Sequence, residues 1–382
     1  MTHRPALLLA AALAVPAVAM AAAEPVETVK IGHVAATSGA VAYFGKDNEN
    51  GARMAVEALN AKGVRIGGKK VRFELLAEDD AGDPKQATAA AQKLVDAKVN
   101  AVIGHQTSGT SIPASKIYFD NGIPQISPSA TSPQYTAQGF NTAFRVVSND
   151  KQLGRVLGRY AVGGLAAKKV AVIDDRTAYG QGVANEFVKG LKEAGGTVVA
   201  KEFTTDKSTE FSAILTKIRA SKPDLVFFGG MSAVAGPMLH QMKQLGFGNT
   251  KLIGGDGICS DEIIKLAQGA VADGQVVCAE AGGIDAKGKA AIDQFHAAYK
   301  KRFGIEVQIY SPYTYDAVMT IADAMVRAGS SAPSRYLPAL AASRYPGITG
   351  TIAFDKAGDI RDGALTLYTF KGGHRSLVTI TR

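Results

Sequence analysis

Between Val29 and Glu280 the chain alternates short apolar runs with longer stretches in which apolar residues recur every three or four positions. The runs VKIGHVAAT, KKVRFELLAEDD, NAVIGH and IPQISPS form one series, and KKVAVIDD, TVVAKEFT, DLVFFGG, TKLIGGDG and GQVVCAE form another. Between them lie helical stripes such as Ala52, Ala55, Val56 and Leu59, then Ala87, Ala90, Ala91, Leu94 and Val95, then Phe211, Ile214, Leu215 and Ile218. Apolar residues at i, i+3, i+4 and i+7 share one helix face. Strands separated by such helices build parallel sheets with helical crossovers. The spacing predicts helices near Asn50–Ala61 and after Asp83-Pro84, where Asp caps free N–H groups and Pro suits the first helical position. The two series have the same layout, which predicts an α/β fold of two doubly wound, Rossmann-like lobes.

The last third breaks the alternation. Helical patterns at Ala290–Arg302 and Tyr313–Ala328 precede a strand-like GITGTIAFD, and GALTLYTFKGG and SLVTITR read as antiparallel strands around Gly372-Gly373. The chain is therefore expected to return to the first lobe and cross once more. This gives a first lobe of residues 24–149 plus 279–355, a second of 150–278 plus 356–382, and a multi-strand hinge between them. Residues 1–23 have the layout of a secretory signal peptide: Arg4, an apolar core from Ala6 and an Ala21-Ala22-Ala23 cleavage site. That core is short for a membrane span, and no Cys marks a lipoprotein junction.

Two hydroxyl clusters stand out. Thr107, Ser108, Thr110 and Ser111 follow one strand of the first series, and Ser127, Ser129, Thr131 and Ser132 follow the next. Open parallel sheets bind ligands beyond the carboxyl ends of their strands, so these clusters suit a small polar ligand, although each residue also fits an ordinary turn or cap. Chemistry for catalysis is missing. The six His are dispersed, no GxSxG elbow or phosphate loop occurs, and Gly180-Gln181-Gly182 lacks the third glycine of a dinucleotide fingerprint. Neither cofactor nor metal is expected. His105 reads as a structural His, and Asp79-Asp80 as capping of a turn. The net charge of +9 is scattered and forms no basic block, which argues against a nucleic-acid partner. Cys259 and Cys278 fit a disulfide in an exported protein, or two buried thiols.

The motifs GKDNENGARMAVEALNAKGV, AEDDAGDPKQATAAAQKLV, VIGHQTSGTSIPAS, ISPSATSP, AVIDDRTAYGQG, FFGG, GGDG and TYDAV together resemble the periplasmic leucine/isoleucine/valine-binding proteins of ABC importers, the type I periplasmic binding fold. The resemblance runs from about Lys30 to the C-terminus. It implies that Ser108, beside Thr107 and Gln106, receives a ligand α-carboxylate at a helix start. It implies that the Ser129 carbonyl, the Thr131 hydroxyl and Asp256 receive the α-ammonium. Tyr179 would close from the second lobe, and Phe44 (or Tyr43), Met231 and Tyr310 would line the side-chain pocket. The family's best-known members have Tyr where this chain has Met231, Glu at Asp256 and Tyr at Phe44. They also carry a disulfide between positions matching Gly82 and Thr107, which Cys259 and Cys278 would replace.

The expected function is capture of branched-chain amino acids in the periplasm by hinge closure, with delivery to membrane permease subunits, by a monomer. The same fold could take an aromatic amino acid, an amide or urea, or an aromatic acid. A sensor in one chain would need a transmembrane helix and a signalling domain, and an enzyme would need the missing nucleophile or metal.

Overall fold

The computed structural model describes residues 24–283 and 288–381; the signal-peptide reading of residues 1–23 falls outside them. The first sheet contains β1 (Glu27–Ala35), β2 (Arg65–Ile66), β3 (Lys69–Asp79), β4 (Ala101–Gly104), β5 (Gln125–Ser127) and β6 (Ala143–Arg145). Their spatial order is β2-β3-β1-β4-β5-β6, parallel except for the β2–β3 hairpin. The second sheet contains β7 (Lys169–Asp174), β8 (Thr197–Phe203), β9 (Leu225–Gly229), β10 (Lys251–Gly254) and β11 (Val276–Glu280). After the small hairpin of β12 (Arg344–Gly347) and β13 (Gly350–Ala353), the chain adds β14 (Leu365–Lys371) and β15 (His374–Thr381) to that sheet, antiparallel. Its order is β15-β14-β11-β10-β9-β7-β8.

The central strands explain themselves. Every residue of β4 and of β9 is buried, so their apolar runs face helices on both sides. Strand order reverses beside β1 in one sheet and beside β7 in the other. In such sheets a crevice opens at the carboxyl ends next to the reversal.

The helix predicted near Asn50 begins eight residues earlier, at Ala42, and runs to Lys62. Its first turns bury Phe44, Gly45, Asp47 and Asn48, residues that a periodicity reading assigns to a loop or a solvated face. Asp47 is buried because its carboxylate accepts the N–H groups of Gln308, Ile309, Tyr310 and Ser311 at the start of helix Ser311–Ala328. Gly45 permits the approach. A Cβ there would lie 1.9 Å from the carbonyl oxygen of Ala36, just past β1, so any side chain would push Phe44 away from the strand ends. The sequence reading passed over the helix Asp150–Gly163, and shorter pieces escaped it too, among them β2, β6 and the helix Pro333–Ala341. These strands are two and three residues long, and the shorter helix carries Pro338 in its interior, so none of the shorter pieces has enough pattern to read.

The chain passes between the sheets near Ser148, near Ala281 and between Phe354 and Ala364 among the described residues. These crossings are tied to one another. Ser148 N–H donates to Ala281 O (3.0 Å), its hydroxyl donates to Ala364 O (3.0 Å), and the Thr366 hydroxyl donates to Gly282 O (2.8 Å).

Cys259 and Cys278 form a disulfide that joins the turn after β10 to β11, with Cα atoms 5.3 Å apart. Closing a short loop restrains the unfolded chain and stabilises by about 3 kcal/mol. Reduction with dithiothreitol is expected to lower the melting temperature by several degrees, as would Cys259→Ala with Cys278→Ala; an unchanged melting curve would remove the bridge from the stability of the second lobe.

Candidate functional site

The carboxyl ends of β1, β4 and β5 face those of β7, β9 and β10 across a narrow cleft. Of the site residues taken from the sequence, all except Thr131 line one narrow hollow between the strand ends.

On the first-lobe side, Thr107 adopts an extended conformation before helix Ser108–Asp120. Ser108 is buried in the first helical turn, where N–H groups have no partner within the helix. Its Oγ accepts Ser132 N–H (3.1 Å), which leaves the hydroxyl proton free to point into the cleft. The Ser129 hydroxyl donates to Gln106 O (2.8 Å), while its own carbonyl accepts nothing among the described residues. Thr131 lies just behind the cleft wall, buried, with a hydroxyl that has no partner. Phe44 meets Tyr310 edge-on, ring centroids 5.3 Å apart.

The second-lobe side centres on Asp256, which opens a short 3₁₀ turn after β10 and is buried. Tyr179, in the first turn of helix Ala178–Glu193, donates its hydroxyl to Asp256 Oδ1 (2.8 Å) and accepts Gly257 N–H (3.0 Å). Tyr310, from the other side of the cleft, donates to Asp256 Oδ2 (2.7 Å). One carboxylate thus ties both walls together. Met231 precedes helix Ser232–Gln244 and presses its sulfur on Gly257, where a Cβ would lie 2.8 Å from it.

Sequence reasoning missed Asp150. It follows the helix cap Asn149, so it reads as a redundant first-turn acid. The structure buries it completely, and neither carboxylate oxygen has a partner. Its N–H donates to Thr131 O (2.8 Å), and its side chain faces Gly182 of the Tyr179 helix. The available signal was Asn149 itself, which already accepts Lys151 N–H and leaves the next acid without a capping task. The nearby Arg145 cannot neutralise it, since its guanidinium is spent on Asp359 and on the carbonyls of Ala130 and Ser132.

Burial raises the Asp256 carboxyl to about pH 6 against the pull of both tyrosine hydroxyls. Burial, with the charge of Asp256 next, holds Asp150 well above the usual carboxylate range. Among the described residues no free cation stands beside these two buried acids, so burial favours their neutral forms and a positive charge arriving there would favour the ionised ones. His105 is occupied elsewhere, between Asp80 Oδ2 (2.8 Å) and the Tyr118 hydroxyl (3.0 Å), and Asp79 accepts the N–H groups of Ala81 in its own turn and of Thr37 past β1. The larger hollow around Glu280 and Arg375 differs, because that ion pair is completed by Tyr313 and by backbone carbonyls.

The raised Asp256 carboxyl has a consequence for stability. An unfolded Asp releases its proton near pH 3.9, to within about a unit, and the folded one near pH 6. The folded state binds more protons between those values, so this group withdraws stability as pH rises through them. Asp256→Asn, measured without ligand, is expected to melt above the wild type at pH 7.5 and by a smaller margin at pH 4.5. Equal margins in calorimetry would mean an unperturbed carboxyl.

A family model described as periplasmic binding protein matches residues 28–374. An amino acid binding protein of Pseudomonas aeruginosa is 36% identical over 373 residues, covering 96% of this chain and 97% of that protein. The leucine-, isoleucine-, valine-, threonine- and alanine-binding protein of the same organism is 34% identical over 342 residues, covering 90% of each. Among solved structures, the branched-chain amino acid transporter substrate-binding protein LivJ of Streptococcus pneumoniae, in complex with isoleucine, superposes with a TM-score of 0.81 at 28% identity, covering 93% of this chain and 99% of that one. A two-lobed α/β architecture with ligand-facing strand ends, matched along nearly its whole length, makes this chain a member of the periplasmic binding protein family.

Proposed function

We propose that this protein captures branched-chain amino acids outside the cytoplasm by closing its lobes, 24–149 plus 279–355 against 150–278 plus 356–382, and delivers them to the permease of an ABC importer. The observation that carries the reading is the pairing of two unlike ends in one cleft. Free N–H groups and the Ser108 hydroxyl lie at one end, and the buried Asp256 carboxylate at the other. An α-amino acid brings the matching charges on adjacent atoms. The α-carboxylate sits on the first turn of helix Ser108–Asp120, where backbone donors and the helix dipole favour an anion. The α-ammonium sits among the Ser129 carbonyl, the Thr131 hydroxyl and Asp256. Asp150 stands behind Thr131, buried and close to the place the ammonium would take. Phe44 and Met231 supply the apolar wall for a branched side chain, and Tyr179 and Tyr310 close over it. The likeness to relatives named for leucine, isoleucine and valine supports this choice of ligand. The chemistry needed is binding alone, because contacts to both lobes favour the closed state. A cleaved leader at residues 1–23 and a monomeric state fit the same role.

Calorimetric titration with leucine tests the site. Ser108→Ala and Asp256→Ala should each weaken binding more than about tenfold, since each leaves a buried ligand charge without its partner. Unchanged affinity in either variant would count against this ligand orientation.

Binding should also depend on acid. Asp256 gains a proton below about pH 6, whereas leucine keeps its ammonium there. Affinity should fall below pH 6 by up to about tenfold per unit, with proton release on binding near that pH. Titrations in two buffers of different ionisation enthalpy measure that release; binding with no proton exchange between pH 5 and 7 would refute it.

A further inference from the structure

Arg375 lies on β15 and does not line the ligand cleft, yet its guanidinium joins the two segments that meet at the Tyr310–Asp256 hydrogen bond. Nη2 donates to Gln308 O (3.0 Å), just before Tyr310 in the chain. Nη1 donates to Cys259 O (3.2 Å), just after the turn that Asp256 opens, and to Glu280 Oε2 (3.1 Å). Glu280 ends β11 and takes the Tyr313 hydroxyl on its other oxygen (2.8 Å). Neither Gln308 O nor Cys259 O accepts another hydrogen bond among the described residues. Each carbonyl is itself rigidly linked to the cleft. Gln308 N–H is held by Asp47 of the first lobe, and Cys259 N–H donates to Asp256 O (2.9 Å). An ion pair with Glu280 would need only one edge of the guanidinium. The bonds to backbone carbonyls on opposite walls go beyond that task, and they suit a planar cation with donors in a fixed fork.

We infer that Arg375 is a positioning residue for ligand capture: from outside the cleft its guanidinium holds the Asp256 turn against the Tyr310 segment and so fixes the acid that the ligand ammonium meets. This rests on the amino-acid reading above and extends it to a residue that touches no ligand. A site whose walls are already spaced for the Tyr310–Asp256 contact spends less of its binding free energy on ordering those segments.

Arg375→Lys separates this role from simple charge pairing, because it keeps a cation beside Glu280 but cannot reach both carbonyls from one rigid plane. Calorimetry with leucine is expected to show about tenfold weaker binding, the scale of one charge-assisted hydrogen bond. In a Tyr310→Phe background the same substitution should change affinity by less than about twofold, since the contact it positions is already gone. Equal losses in both backgrounds, or no loss in the first, overturn the inference. The coupling can also be read without ligand. Burial raises the Asp256 carboxyl, and the Tyr310 hydroxyl is the strongest pull against it. NMR titration of that carboxyl should therefore move upward in Arg375→Lys and move no further when Arg375→Lys is added to Tyr310→Phe; an unmoved titration overturns the inference. Absence of heat with leucine, isoleucine and valine on the wild type would defeat the amino-acid reading, and the carboxyl titration would still decide what Arg375 does. One measurement needs no substitution: a guanidinium held on both walls rotates slowly about its C–N bonds, so its Nη1 and Nη2 resonances should stay separate in the wild type, whereas a single averaged resonance refutes the tie.

Discussion

The structure turns on one buried carboxylate. Asp256 is buried in the cleft wall, and burial pushes its carboxyl up. Two hydroxyls pull the other way, Tyr179 from its own lobe and Tyr310 from across the cleft. The carboxyl is left near pH 6, close enough to neutrality that a positive charge arriving beside it fixes the ionised form. Each carboxylate oxygen can accept more than one hydrogen bond. The tyrosines therefore orient Asp256 without exhausting it, and a ligand cation can be added to the pair of hydroxyls already in place.

Much of the surrounding fold serves to hold that group still. The disulfide from Cys259 to Cys278 anchors the turn that carries Asp256 to β11, three residues from its start. Asp47 collects the N–H groups of residues 308–311 and so fixes the backbone from which Tyr310 reaches across. Gly45 lets Phe44 settle against the strand end and against the Tyr310 ring. The three crossings, bonded to one another at Ser148, Ala281, Gly282 and Thr366, keep the two walls aligned while leaving few segments to bend. The polar supports among these, Asp47, Ser148 and Thr366, are buried, and each is hydrogen-bonded there.

What the sequence made legible follows from how each feature is encoded. Strands buried on both faces, such as β4 and β9, appear as unbroken apolar runs, and the alternation of such runs with helical stripes specifies the sheets. The hydroxyl clusters after β4 and β5 are visible as runs of small polar residues directly after a buried strand, although Ser111, Ser127 and Ser129 spend their hydroxyl protons on the carbonyls of His105 and Gln106. The start of helix Ala42–Lys62 was illegible because its buried residues include Asp47 and Asn48, whose burial depends on partners some 260 positions away in the chain. Asp150 was illegible because an acid in a first helical turn is the commonest of cap residues. Only the packing of Thr131 and Gly182 around it, and the commitment of Arg145 to Asp359, reveal that it has no partner.

The departures from the family pattern can be read in the same terms. Shortening the acid at position 256 by one methylene would draw the charge back from the cleft, yet here both tyrosine hydroxyls still reach it at 2.7 and 2.8 Å. Tyr179 does so while also accepting Gly257 N–H, so the 3₁₀ turn and the acid move as one unit. Met231 and Phe44 give the cleft wall a thioether and a bare ring, and the polar groups beside them are fixed: Gln106 Oε1 accepts Ala36 N–H (3.1 Å), and the Thr107 and Thr110 hydroxyls meet at 2.9 Å.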